Sequence, residues 1–326
     1  MTDDTMRAAV VRRYGSAAEV RVDRVPVARA GRGEALVRVH ATAVTSADAR
    51  IRGSRFPPGF TVPGRLAFGI VRLRQPVLGG VLSGIVEDAG AGADGVRLGD
   101  AVCGMTGMRM GAHAELVAVP ARCLVPKPDA VGHDDAAGVL FGGTTALHFL
   151  HAKGGLREKD SVLVIGASGA VGSNAVQLAR LAGATVTGVC SAANAALVSS
   201  LGAHRVIDYR DTPPDALRER YDMVLDAVGT LTAASGRRLL KEDGRLLLVS
   251  AGLGDTLRAR GRISAGAAEE RPGDFTRLLD LVAAGRLRVV TDRVLPLSQI
   301  AAAHARVDSG RKIGNVIVRP IELDAQ

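Results

Sequence analysis

The sequence predicts an α/β protein in two parts, a barrel-like β domain and a doubly wound parallel sheet. Three observations predict it. From residue 161 onward, strand-like apolar runs alternate with helical patterns. The first of those runs ends in a glycine-rich turn, V-L-V-I-G-A-S-G-A-V-G-S at 162–173. The first 125 or so residues instead show short apolar runs broken by Gly and Pro. A chain of 326 residues with 47 % apolar content is too long for one ordinary core and can fill two.

In the amino-terminal part, RAAVVRRYG, ALVRVHATAV, GGVLSGIVEDAG, DAVCGMTG and HAELVAVPA each carry a strand-length apolar run between turn signals. Helical pattern begins near DDAAGVLFGGTTALHFLHAKG. SVLVIG leads to a helix through NAVQLARLAG, and TVTGVC to a helix through AANAALVSSLG. RVIDY and YDMVLDAVG follow, then a helix through TAASGRRLLKEDG and the run GRLLLVSAG. Runs that are apolar on both faces and alternate with helices belong to a parallel sheet covered on both sides. A helix near DFTRLLDLVAAG and a strand at RLRVVTDRV are expected to extend that sheet, and HARVDSGRKIGNVIVRP ends in one more β-like run.

Composition removes several classes. The formal net charge is +9, but basic residues are spread along the chain, and aromatic residues reach only 3 %. Base-stacking platforms are therefore scarce, and no nucleic-acid partner is expected. No apolar run has the length of a membrane span, and MTDDTMRAAVVRRYG has acids first and no hydrophobic core of a signal peptide. A cytoplasmic protein with no membrane partner is the expectation. Cys103, Cys123 and Cys190 lie far apart, and no H-E-x-x-H occurs, so no metal site is advertised.

The turn is built for a dinucleotide. Gly166 allows a sharp bend after the strand, Gly169 a close approach of backbone to pyrophosphate, and Gly172 close packing of helix on strand. The helix start offers free N–H groups and the positive dipole end, and Ser168 adds a hydroxyl. A phosphate-binding P-loop requires a Lys that GASGAVGSN lacks, and a hydrolase elbow requires Gly where Ala170 stands. The next strand ends Gly188-Val189-Cys190-Ser191, without the acid that would accept from a ribose 2′-OH and repel a 2′-phosphate. NADPH is thus expected in preference to NADH, with Ser191, Asn194, Tyr209 and Arg210 as candidate partners.

Together these stretches resemble the zinc-independent medium-chain dehydrogenases/reductases of quinone oxidoreductase and enoyl reductase type. The resemblance runs nearly end to end. It rests on AVTSADARIRG (43–53), PVLGGVLSGIVEDAG (76–90), GDAVCG (99–104), GAHAELV (111–117), GGTTAL (142–147), GASGAVGSNAVQLA (166–179), SLGAHRVIDY (200–209), YDMVLDAVG (221–229) and SGRKIGNVIV (309–318). It implies a GroES-like catalytic domain from residues 1–126 with 294–326, a Rossmann domain from 127–293, a cofactor in the cleft and a homodimer. Zinc-dependent cousins carry Cys where this chain has Thr45, and Gly-His-Glu where it has Gly79-Gly80-Val81, which implies no zinc. The chain also has Thr45 for a common Asn, His113 for Tyr, Asn194 for Lys and Asn315 for Lys.

The resemblance and the turn together name the candidate site. Thr45, Asp48 and Thr145 are the catalytic candidates. The cofactor contacts are Thr145, Gly166, Ser168, Gly169, Ala170, Val171, Cys190, Ser191, Asn194, Tyr209, Val228, Ser250, Ala251 and Asn315. Thr45 is a candidate donor to substrate oxygen or a small residue filling lost metal space, and Asp48 leans toward a structural hydrogen-bonding role. Arg50 and Arg52 could orient an anionic substrate. Without a Lewis acid, an activated C=C is easier to reduce than a simple carbonyl. The expected activity is NADPH-dependent hydride transfer to an enone or enoyl acceptor, such as an intermediate of secondary metabolism. The alternatives are quinone reduction and, from another class, a non-catalytic cofactor-binding or RNA-binding role.

Overall fold

The computed structural model describes residues 4–321, which divide into two compact units. The first unit holds residues up to 56, 61–141 and those from 270 on; the second holds 57–60 and 142–269.

In the first unit, β1 (Thr5–Val11) and β2 (Val20–Pro26) form an antiparallel pair. β3 (Glu34–Val44), β4 (Val81–Ala89), β5 (Ala101–Met105) and β7 (Leu124–Pro126) pair antiparallel in that order, and β6 (Leu116–Pro120) pairs with β3. Alternation along these strands buries Ala35, Val37 and Val39 against Leu82, Val86, Val102 and Val119. Between β3 and β4 run the short helices α1 (Ser46–Gly53) and α2 (Thr61–Phe68). After β7 comes α3 (His133–Leu147), which passes without a break into a π-helical turn over His148–Lys153. The division between units falls inside α3, after Phe141.

The second unit alternates strand and helix as expected from its apolar runs. β8 (Ser161–Ile165), α4 (Ala170–Leu181), β9 (Thr185–Cys190), α5 (Ala195–Ser200) and β10 (Arg205–Asp208) make its first half. β11 (Tyr221–Asp226), α6 (Ala233–Arg237), β12 (Leu240–Leu248), α7 (Leu253–Arg258) and β13 (Ile263–Ala265) make its second. All six strands are parallel, in the order β10-β9-β8-β11-β12-β13. The order reverses between β8 and β11, and their carboxyl ends flank the switch point where such sheets bind ligands.

Two elements depart from the sequence reading. The helix expected through TAASGRRLLKEDG stops at Arg237 after five residues. Leu239 and Leu240 are pulled into the sheet instead, where Tyr221 N–H donates to Leu239 O, and β12 starts at once. The strand at RLRVVTDRV does not extend the parallel sheet. It forms β14 (Thr291–Pro296), which pairs in parallel with β15 (Asn315–Arg319), itself antiparallel to β3 in the first unit. The preceding α8 (Pro272–Ala283) packs on β7, also in the first unit. Residues 127–141 and 270–293 therefore lie with the first unit, whereas the sequence reading grouped them with the second.

α9 (Ile300–Asp308) closes the first unit's core with Ile300, Ala303 and Val307. It is fastened to α1 by Arg52, whose side chain is wholly buried. The guanidinium donates to Gly15 O at 2.6 Å and pairs with Asp308 at 2.5 Å. Arg52 is thus a core strut and does not reach a substrate. Truncating one partner of a buried pair strands the other's charge. Arg52→Ala is expected to cost about 3–5 kcal/mol in urea unfolding, and Asp308→Asn less, because Asp308 is partly solvated. Equal stability of Arg52→Ala and wild type would remove the strut role.

Candidate cofactor and substrate site

The glycine turn joins β8 to α4 in the second unit. Gly166 has φ +80°, a region that a side chain disfavours, and a Cβ there would collide with Val228. A Cβ at Gly172 would strike the Gly166 carbonyl, so α4 packs onto the turn only because position 172 has no side chain. Gly169 is the N-cap of α4, and no side chain caps the helix. The first-turn N–H groups therefore point out of the helix without an internal acceptor, which is the arrangement that holds a pyrophosphate.

Other expected contacts gather around this turn. Asn194 donates from Nδ2 to Ser168 Oγ at 3.0 Å, so these two form one polar unit. Cys190 ends β9, and burial pushes its thiol up to about 11, so it stays neutral. The Ser191 carbonyl accepts from Cys190 Sγ, and Tyr209 stands half exposed after β10. Gly142 of α3 sits against the Ala170 carbonyl and Asn174, which brings the GGTTAL segment with buried Thr144 and Thr145 to the start of α4. Val228 reaches Gly166, and Gly229 lies on the Ser250 carbonyl, so the ends of β11 and β12 meet the turn with Ser250 and Ala251.

Two carboxylates at this end escaped the sequence reading. Asp226 is fully buried at the end of β11. Its Oδ1 accepts from Val228 and Gly229 N–H, and its Oδ2 from Leu231 N–H at 2.7 Å and Thr230 Oγ1 at 3.3 Å. It therefore shapes the loop carrying Val228. Asp208 ends β10, in register with Cys190. It accepts from Ala192 N–H at 2.9 Å and pairs with Arg210 at 2.8 Å. The Arg210 guanidinium and its backbone N–H hold that carboxyl well below the usual range. An acid thus stands at the end of the strand beside β9, paired with an arginine.

The first unit holds the remaining candidates. Thr45 is the N-cap of α1 and forms a capping box with Asp48. Asp48 Oδ2 accepts from Thr45 N–H at 2.8 Å and from Thr45 Oγ1 at 2.6 Å, while Oδ1 accepts from Gly79 N–H at 3.1 Å. The hydroxyl proton of Thr45 is thus directed at Asp48. Gly79, at φ +97°, lies tight against the backbone of Ala112 and His113. Asn315 is buried and donates from Nδ2 to Val290 O at 2.9 Å, within the first unit. Among the described residues, no group of three or more His, Cys, Asp or Glu is placed to hold a metal ion.

Comparison with known proteins agrees with this geometry. The alcohol dehydrogenase GroES-like domain model matches residues 31–129, and the zinc-binding dehydrogenase model matches residues 201–318. The chain is 27 % identical over 325 residues to the chloroplast envelope quinone oxidoreductase homolog of Arabidopsis thaliana, covering 94 % of this chain and 95 % of that one. The quinone oxidoreductase of Coxiella burnetii superposes with a TM-score of 0.87 at 26 % identity, covering 97 % and 100 % of the two chains. Mycobacterial Rv1454c complexed with NADPH superposes with a TM-score of 0.80 at 25 % identity, with the same coverages of 97 % and 100 %. Fold and turn define an NAD(P)H-dependent oxidoreductase. Within that class the chain belongs to the quinone oxidoreductase-like medium-chain dehydrogenases/reductases.

Beside Asp48, two buried imidazoles face each other edge-on, His113 of the GAHAELV stretch and His304 of α9, with centroids 5.5 Å apart. His113 Nε2 lies 3.4 Å from Ala43 O, and neither ring nitrogen of His304 has a hydrogen-bond partner among the described residues. Burial drives both below the ordinary histidine range, His304 furthest, aided by His113 and Arg52; Asp48 pulls His113 partly back. The unfolded chain gains protons here below about pH 6.5 while the folded one does not, so stability falls as pH drops below that value. His304→Leu is expected to be neutral or stabilising at pH 7 and to lose less urea stability than wild type between pH 7 and 5. An unchanged pH slope would remove His304 from the acid response.

Proposed function

We propose that this protein uses NADPH to reduce a carbonyl-conjugated C=C, without zinc. The observation that carries the reading is the uncapped start of α4, packed on a turn that has no room for a side chain at Gly166 or Gly172. The α4 N–H groups hold the pyrophosphate, and Ser168, Asn194 and Arg210 take the ribose phosphate. When bound, NADPH supplies a hydride from nicotinamide C4.

An enone or enoyl acceptor would take that hydride at its β-carbon, negative charge would develop on its oxygen, and a proton from water or a side chain at the α-carbon would complete the reduction. A single placed donor to such charge is worth about 3 kcal/mol in other enzymes. Thr145 is the proposed donor beside the nicotinamide. Asp48 is proposed as a positioning residue, since it fixes Thr45 and the Gly79 turn by three hydrogen bonds. Zinc-free chemistry is supported by the residue types: Thr45 gives its proton to Asp48, and Gly79-Gly80-Val81 offers no ligating side chain. A quinone carries the same conjugated C=C–C=O unit, and the relatives named quinone oxidoreductases favour it as the second reading.

Anaerobic NADPH consumption with a cyclic enone and with an ortho-quinone, each in excess chelator, tests this. Turnover that survives chelation is expected; loss of activity that zinc restores would overturn the metal-free reading. Turnover with the quinone alone would assign the second acceptor.

Cofactor choice rests on Arg210. Arg210→Ala is expected to weaken NADPH about tenfold or more by calorimetry, as befits a charge-assisted contact of about 1.5–3 kcal/mol, and to leave NADH within about twofold. Asp208→Asn releases the guanidinium and is expected to tighten NADPH. Equal effects on both cofactors would sink the assignment of Arg210 to the 2′-phosphate.

A further inference from the structure

Residues 49–86 contain six arginines and not one carboxylate. Two of the six, Arg52 and Arg55, share Asp308. The rest of the segment forms a surface of unusual make-up. On α2 and the turn after it, Val62, Leu66, Ile70 and Val71 are 69, 56, 60 and 84 % exposed. Val62 and Leu66 are four apart and share one helix face.

This exposure is held in place. Tyr14 Oη donates to Gly69 O at 2.5 Å, Arg65 Nη1 to Ile70 O at 2.7 Å, and Arg74 N–H to Phe68 O at 2.8 Å. Arg65 lies over the Tyr14 ring at 4.3 Å, and Phe68 stacks on Phe56 at 5.9 Å. Leu73 is buried in the core. Side chains that turn inward are all engaged, while Ile70 and Val71 are fixed outward. Beside them a groove of about 740 Å³ runs between Val10–Arg12 and Gly69–Arg74, with Arg72 and Arg74 on its walls beside Arg12, which is paired with Asp23.

We propose that this face of the first unit docks peripherally on an anionic lipid bilayer. Aliphatic side chains set among guanidinium groups match the two layers of such a surface, acyl boundary below and phosphate above. Arg72 and Arg74, which form no ion pair among the described residues, give the charge complementarity. A nucleic acid would stack on aromatic rings, but Tyr14, Phe56 and Phe68 are engaged with Arg65 and with each other. No helix among the described residues is long and apolar enough to cross a membrane, so the contact is one of surface only. The expectation of no membrane partner was drawn from spans and leader segments, neither of which bears on a folded surface patch.

Co-sedimentation of the full chain with vesicles of phosphatidylcholine alone, and with half replaced by phosphatidylglycerol, tests the proposal at low and high salt. Binding is expected to the anionic vesicles only and to weaken with salt. Ile70→Glu with Val71→Glu is expected to lower partitioning at least tenfold with an unchanged thermal midpoint, since both side chains are already in solvent. Arg72→Ala is expected to lower it about fivefold, the worth of one cation near a charged bilayer. No binding, equal binding to neutral vesicles, or unchanged binding of the double variant would each overturn it. So would a dimer, seen by light scattering, that the double variant dissolves, since a second copy would then own the face. None of these outcomes depends on the acceptor being an enone or a quinone.

Discussion

The space that a side chain at position 172 would occupy is already taken by the Gly166 carbonyl. Most of the cofactor end of the second unit follows from that steric constraint. With no Cβ at 172, the first turn of α4 can press down on the end of β8, and its N–H groups then face outward from the sheet's switch point. Gly166 adds the second half of the constraint, because its positive φ and its contact with Val228 fix how closely the β11 loop can approach. Asp226 braces that loop from below with backbone donors at both carboxylate oxygens. The dipole end, the loop and the strand ends are thus packed on one another.

The first unit solves a different problem with a similar device. Asp48 is buried and acidic, and burying a carboxylate is costly unless donors surround it. Three donors do so, two from Thr45 and one from Gly79. The same bonds cap α1 and hold the Gly79 turn at its left-handed φ. A capping box that any α-helix could use therefore ties two loops together at the place where zinc-dependent cousins put ligands. His113 and His304 pack beside it as neutral rings, serving as apolar filler with a titratable liability.

Much of this was legible in the sequence. The second unit's strands read clearly because they are apolar on both faces, and the glycine turn read clearly because its spacing has a steric cause. What escaped depends on partners distant in the chain. RLRVVTDRV reads as a strand, but nothing local says that Asn315–Arg319, beyond α9, is its neighbour. The helix ending at Arg237 was hidden because Leu239 and Leu240 fit a helical stripe as well as a strand start. Tyr209 and Arg210 stand out as candidate ribose contacts, but Asp208 just before them does not, because only register shows that β10 ends beside Cys190. Thr45 could be recognised as a metal-position replacement, but the direction of its proton required Asp48 in three dimensions. Arg52 reads as a candidate for orienting an anionic substrate because nothing local reveals its pairing with Asp308, more than two hundred and fifty positions away.

Charge shows the same gap between pattern and place. A net charge of +9 spread along the chain reads as a uniformly basic surface. In the fold, many of those arginines meet acids: Arg7 with Glu115, Arg38 with Glu87, Arg205 with Glu219, Arg306 with Asp292 and Arg319 with Asp134. Exposed pairs of this kind add little stability, but they cancel the field around them. What remains is set by where acids are missing. The stretch 49–86 has none of its own; Arg52 and Arg55 borrow Asp308, while Arg72 and Arg74 form no ion pair among the described residues, on the face where aliphatic side chains also stand in water. At the end of β10 the opposite holds, since Asp208 cancels Arg210. On the reading proposed above, a corner that starts neutral gains its selectivity from competition, because a ligand bearing an extra phosphate is what can draw the arginine from Asp208.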